Sequence, residues 1–154
     1  MMVKLPVLYS QLAIFSADMA KPYNDWSDGH VVQGFSWRRN SVSFAVPSDI
    51  SDIDVTIREV SKLKAEHGAD RVIVVPLEIG GGRGAEFGNV VETTPVLLAD
   101  GKYSVCFELF LDAGRSSGRA EISITPGECD AAILVADAGI RIPSVLLMDA
   151  EAAR

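Results

Sequence analysis

The side chains with which this chain could do chemistry are few. Of its two histidines, His30 falls within a few residues of Asp25 and Asp28, close enough for an acid–base or metal pair. No cysteine or second histidine stands at ligand spacing, so a capped helix with an exposed imidazole is the expected arrangement. His67 sits in a polar connector and is expected to be solvated. Cys106 lies in an apolar run with no histidine or lysine beside it, which suits a buried, inert thiol. Cys106 and Cys129 have no zinc spacing, and two free thiols fit a reducing cytoplasm. The glycine run at residues 80–84 lacks the Gly-Lys-Ser/Thr ending of a phosphate loop, so it reads as a flexible hairpin connection. Asp49, Asp52 and Asp54 approach the spacing of a calcium loop but lack its glycine and distal glutamate, which leaves a solvated acidic loop. No catalytic constellation, metal or cofactor is expected.

The elements that must position these groups are mostly strands. One helix is expected near residues 26–34: Asp25 or Ser27 can cap it, Asp28 adds negative charge to its first turn, and Gly34 can end it in the left-handed conformation. A helix this short needs tertiary anchors, expected to be Trp26, Val31, Val32 and Phe35, plugging one end of a sandwich. Residues 7–15 read as a strand with a helical alternative. Residues 35–37 and 42–46 form a hairpin in which Asn40 is best able to take positive φ. Ile53, Val55 and Ile57 alternate with polar residues as in a half-buried strand. Residues 71–79 are too apolar for an exposed strand, and Pro76 makes this one bulge or reach an edge partway along. Strands are also expected at residues 89–94 and 96–99, and Asp100-Gly101 is the strongest hairpin signal, leading into residues 102–111. Residues 120–124 and 131–136 follow. Residues 142–148 read as a last strand or docking tail, and 150–154 as a frayed end. The expected fold is one all-β domain over residues 1–154, a two-sheet antiparallel β-sandwich of about nine or ten short strands.

At 154 residues the chain can bury a core without disulfides or metal. Its net charge of −7, from 21 acidic against 14 basic residues, speaks against direct nucleic-acid binding and would steer it toward a basic partner. No apolar run is long enough to span a bilayer. The apolar stretch near the N-terminus is interrupted by Pro6, Ser10 and Gln11, unlike a signal peptide. Cytoplasmic localisation is expected, with any membrane association made through a partner.

Tyr9, Gln11 and Phe15, then Asp25-Trp26-Ser27-Asp28, Gly34-Phe35 and Ser43-Phe44, resemble in order and spacing the competence protein J family, bacterial inhibitors of a DNA-entry nuclease. The likeness continues through Pro76, Asp100-Gly101, Tyr103 and Cys106, covering residues 9–111. It implies a non-catalytic protein that binds a nuclease as its protein partner. The bet for the partner-binding surface is Asp25, Trp26, Asp28, Asp49, Asp52 and Asp54, whose carboxylates would stand where DNA phosphates sit. The alternative is a β-sandwich that binds a small ligand or carbohydrate through Trp37 and the loops. Trp26 and Trp37 are core candidates, and an exposed Trp at the rim would instead be an interface hot spot.

Overall fold

A computed structural model describes residues 1–64, 68–114 and 116–154. His67 lies outside the described residues. In chain order the elements are β1 (Met2–Pro6), β2 (Gln11–Ser16), α1 (Asp28–Gln33), β3 (Phe35–Arg38), β4 (Ser41–Ala45), β5 (Asp52–Glu59), β6 (Arg71–Ile79), β7 (Ala85–Gly88), β8 (Thr93–Val96), β9 (Gly101–Leu111), β10 (Ser117–Pro126) and β11 (Ala132–Val135). They make a six-stranded sheet ordered β1-β5-β10-β9-β6-β11 and a five-stranded sheet ordered β3-β4-β2-β7-β8. The sheets meet through alternate side chains: Leu12, Ile14, Val42 and Phe44 from one, Ile73, Val75, Val105 and Phe107 from the other. Phe44 stacks on Phe107 with centroids 4.5 Å apart. The all-β sandwich with one short helix is therefore the architecture. One pairing departs from the antiparallel expectation, since β5 runs parallel to β10. Strand order depends on long-range packing, of which the local pattern carries no trace.

The outer faces explain why some strands are so apolar. Val72, Val74 and Cys106 point away from the sandwich yet stay buried under Leu63, Ala69 and Cys129. On the other sheet the outward residues Ser36, Ser41 and Ser43 are small and fully buried, which lets the chain at residues 22–25 lie close over them. Asn24, 2% exposed, donates its amide to Ser36 O (2.8 Å) and Ser41 O (3.0 Å) and accepts from Arg38 Nε at 2.6 Å. Tyr23 meets Phe15 edge-on at 5.6 Å.

Several turns differ from expectation. The strand at residues 7–15 is broken: Tyr9 and Ser10 both take φ 54° in a turn that bridges Leu8 to Gln11. Asn-Gly is the usual filler of such a turn, so Tyr-Ser gives no warning of it. Asn40 keeps out of the left-handed region. Its amide instead donates to Glu78 O at 2.8 Å, tying the β3–β4 hairpin to β6. Residues 80–84 and Asp100-Gly101 are not hairpin turns. Each carries the chain from one sheet to the other, between β6 and β7 and between β8 and β9. The first four residues of the expected strand at 89–94 instead form the turn between β7 and β8, in which Asn89 Oδ1 accepts from the backbone N–H of Val91 and Glu92 (2.8 Å each). Pro76 is tolerated because β11 pairs with β6 only over Val72–Val74, so no strand on that side needs an N–H from Pro76.

Residues 150–154 are tied down, contrary to a frayed end. Asn24 and Ala152 form a β-bridge, and Ala150 N and Ala153 N donate to Trp37 O (3.1 Å) and Tyr23 O (2.8 Å). Residues 142–148 form no strand but dock beside α1. No described helix is long and apolar enough to cross a membrane.

Candidate partner-binding surface

The helix-bearing loop is built from local signals. Ser27 caps α1: its Oγ accepts from His30 N (3.2 Å) while its own N–H donates to His30 Nδ1 (3.0 Å), a reciprocal capping box in which histidine replaces the usual glutamate. Gly34 ends the helix at φ 84°. A Cβ there would sit 2.9 Å from Ile140 and 3.4 Å from Ile73, so only glycine permits both the conformation and the close packing.

His30 corrects the expectation of an exposed imidazole. It is 3% exposed. With Nδ1 accepting from Ser27 N–H, its proton sits on Nε2, which donates to Asp149 Oδ1 at 3.0 Å. The ring is thereby committed to the cap and the C-terminal segment. Val31, expected as an anchor, is 56% exposed, and the inward positions belong to His30 and Gln33. Gln33 exchanges two hydrogen bonds with the Leu147 backbone at 2.9 and 2.8 Å.

The six expected site residues separate into two places. Trp26 is half-buried, its indole N–H donating to Gln11 Oε1 at 3.1 Å, and it shares with Asp49 a groove of about 600 Å³. Tyr9, Val31, Pro47 and Ile140 also line this groove, and Asp28 lies one turn ahead of Val31 on the exposed side of α1. Asp25 is exposed but partly used, since its Oδ1 accepts from Glu151 N at 2.9 Å. Asp52 and Asp54 stand elsewhere, on the solvent side of β5, with Asp54 in register between Lys4 and Arg119. That face carries mixed charge, including ion pairs of Glu121 with Arg58 (2.5 Å) and Arg119 (3.0 Å).

Sequence reasoning missed the groove's floor. Arg71 is 2% exposed and meets Asp137 with both ends of the carboxylate, Nε to Oδ1 at 2.7 Å and Nη2 to Oδ2 at 3.0 Å, while Nη1 donates to Ala45 O at 2.8 Å. Burial raises the Asp137 pKa, but the hydrogen bond and charge of Arg71, with the Gly139 N–H, outweigh it and hold the carboxyl below its ordinary value. The one available signal was a lone arginine heading an apolar strand, with no indication of its partner.

The other candidates resolve into structural roles. Burial, then Glu108, pushes the Cys106 thiol up to about 12, and both cysteines are free. In the glycine run, Gly80 N donates to Ser16 Oγ (3.1 Å) and Gly82 N to Asp100 Oδ1 (3.0 Å), and an acidic neighbour opposes a phosphate. Trp37 spends its indole N–H on Pro76 O at 2.6 Å. Its groove of about 520 Å³ is rimmed by the pairs Arg39–Glu78 and Lys102–Glu128. No group of three or more His, Cys, Asp or Glu residues suited to a metal occurs among the described residues.

Half-burial lowers what Trp26 can contribute. Trp26→Ala is expected to cost about 1 to 2 kcal/mol in denaturant unfolding, covering part of the ring's apolar area and one hydrogen bond. A loss above about 3 kcal/mol would place the ring in the core.

Comparison with known proteins bears on the whole arrangement. No curated protein matches the chain. Among solved structures, the crystal structure of ComJ, inhibitor of the DNA degrading activity of NucA, from Bacillus subtilis, matches with a TM-score of 0.70 at 16% identity, over 82% of this chain and 96% of that one. A chain described as crocagin biosynthetic gene J matches with a TM-score of 0.49 at 15% identity, over 82% and 96%. The profile of Competence protein J (ComJ) matches residues 4–125, wider than the 9–111 read from the sequence and ending before β11 and the C-terminal segment that docks on α1. The chain belongs to the competence protein J family.

Proposed function

We propose that this protein inhibits a nuclease by protein–protein contact, without catalysis of its own, in a bacterial cytoplasm. The observation that carries this reading is the family match over residues 4–125. The shared fold supports it through ComJ, which inhibits the DNA degrading activity of NucA. Charge supports it as well: a nuclease holds DNA with basic residues, and a chain of net charge −7 can place carboxylates where phosphates would lie. Asp28, Asp49, Asp52 and Asp54 are all exposed and are the proposed contacts, with Trp26 beside them and Asp25 contributing what Glu151 leaves free.

The direct test is plasmid degradation by the NucA-like nuclease of the same genome, titrated with this protein. Degradation should stop near equimolar ratio, and full activity at a tenfold excess of the protein removes the reading. Replacing Asp49, Asp52 and Asp54 together with Asn should slow association and flatten its salt dependence, because exposed charges act over a Debye length of about 8 Å at physiological ionic strength. Thermal stability should hardly move. An unchanged rate and salt slope would exclude these carboxylates from the contact.

A further inference from the structure

Tyr9 is 82% exposed and takes φ 54° in a turn where asparagine or glycine would sit without strain. The Tyr9 ring, lying mostly in water, adds little packing to offset that cost, and strain kept at an exposed aromatic points to use outside the fold. Beside it, Val31 is 56% exposed and Trp26 is fixed at the groove wall by Gln11. Tyrosine and tryptophan at the edge of a groove are the residues that dominate protein interfaces.

We propose that this groove, between the Tyr9-Ser10 turn and α1, is where the nuclease docks, receiving an apolar side chain flanked by lysine or arginine. The proposal rests on the inhibitor reading above and assigns its surface. The apolar occupant follows from walls made by Trp26, Val31 and Ile140. The cationic flanks follow from charge. The guanidinium of Arg71 on the floor is paired with Asp137 through Nε and Nη2 and donates Nη1 to Ala45 O, so its charge is already compensated. Asp49 at the rim and Asp28 one turn ahead of Val31 are exposed and in no ion pair among the described residues. Tyr9 and Val31 line the groove yet keep 82% and 56% of their surface exposed, and an apposed protein surface would cover that exposed area. Ile140 also lies beyond the matched residues 4–125, so one wall of the groove comes from outside the family match.

The test uses the full chain and the NucA-like nuclease of the same genome, reading affinity, association rate and Tm. Tyr9→Asn relieves the turn, so its Tm should equal or exceed that of wild type while binding weakens at least thirtyfold, roughly the loss of one hot spot. Val31→Lys, at an exposed position, should weaken binding about tenfold without unfolding the chain. Asp49→Lys should slow association several-fold, most at low salt. If Tyr9→Asn and Val31→Lys bind as tightly as wild type, the groove is not the contact, although inhibition by the wild type still stands. If the wild type does not inhibit, the functional reading falls and the proposal falls with it.

Discussion

Asp137→Ala lowers the unfolding free energy by about 3 kcal/mol, the lower end of the range for breaking a buried ion pair. Arg71 is 2% exposed, with its guanidinium held by Asp137 and Ala45 O. Removing the carboxylate leaves a buried cation with one neutral acceptor. The loss stays at the lower end because the Asp137 side chain keeps 15% exposure, which admits some water. Asp137→Asn keeps one acceptor and should cost less. Arg71→Met with Asp137→Leu removes both charges and should recover most of the loss. Urea unfolding of the four proteins checks this order, and a double replacement no better than Asp137→Ala alone would show that the pair is not the cause.

The same pair sets an acid limb. Asp137 is held below its ordinary value of 3.8 in the folded chain, so its contribution is present in full above that value. It is lost as the pH falls through the lower folded value, because the unfolded chain then binds the proton more readily. Between pH 5 and pH 2 the wild type should therefore lose more stability than Asp137→Asn. Parallel curves would exclude the linkage.

Legibility in the sequence followed the range of the forces. The α1 cap, its glycine stop and the alternation of β5 are decided within a few residues and could be read directly. The break at Tyr9-Ser10 could not, because its residues contradict the turn they make. The Asp-Gly signal misled for a related reason: Asp100-Gly101 does turn the chain, but whether a turn joins neighbours in one sheet or crosses to the other depends on the partners of β8 and β9. The candidate surface was half legible. Trp26 and Asp49 do meet at one groove, but Asp52 and Asp54 follow β5 onto another face. Val31 looked like an anchor because apolar residues usually are, and its exposure emerges only once His30 and Gln33 take the inward positions. Those two face inward because the C-terminal segment gives them partners, and no local pattern shows a contact made from residue 33 to residue 147.

That contact should be measurable as a coupling. Gln33 is fully buried. Its amide nitrogen donates to Phe35 O (3.0 Å) and Leu147 O (2.9 Å), and its oxygen accepts from Leu147 N (2.8 Å). Gln33→Leu keeps the side chain's bulk but strands three backbone groups, for an expected cost of about 2 to 4 kcal/mol, since each abandoned group loses both its partner and its water. At this chain length that lowers Tm by about 5 to 15 °C. In a chain ending at Arg141, two of the three stranded groups no longer exist and water reaches the third, so the same substitution should cost less than about 1 kcal/mol. The difference between the two costs is the interaction of Gln33 with the docked segment, and neighbours in one network are where such non-additivity is expected. Equal costs in the long and short chains would mean that residues 142–154 do not hold the helix in solution. A large difference would show that the segment beyond the family match steadies α1, and through it the Val31 wall of the groove.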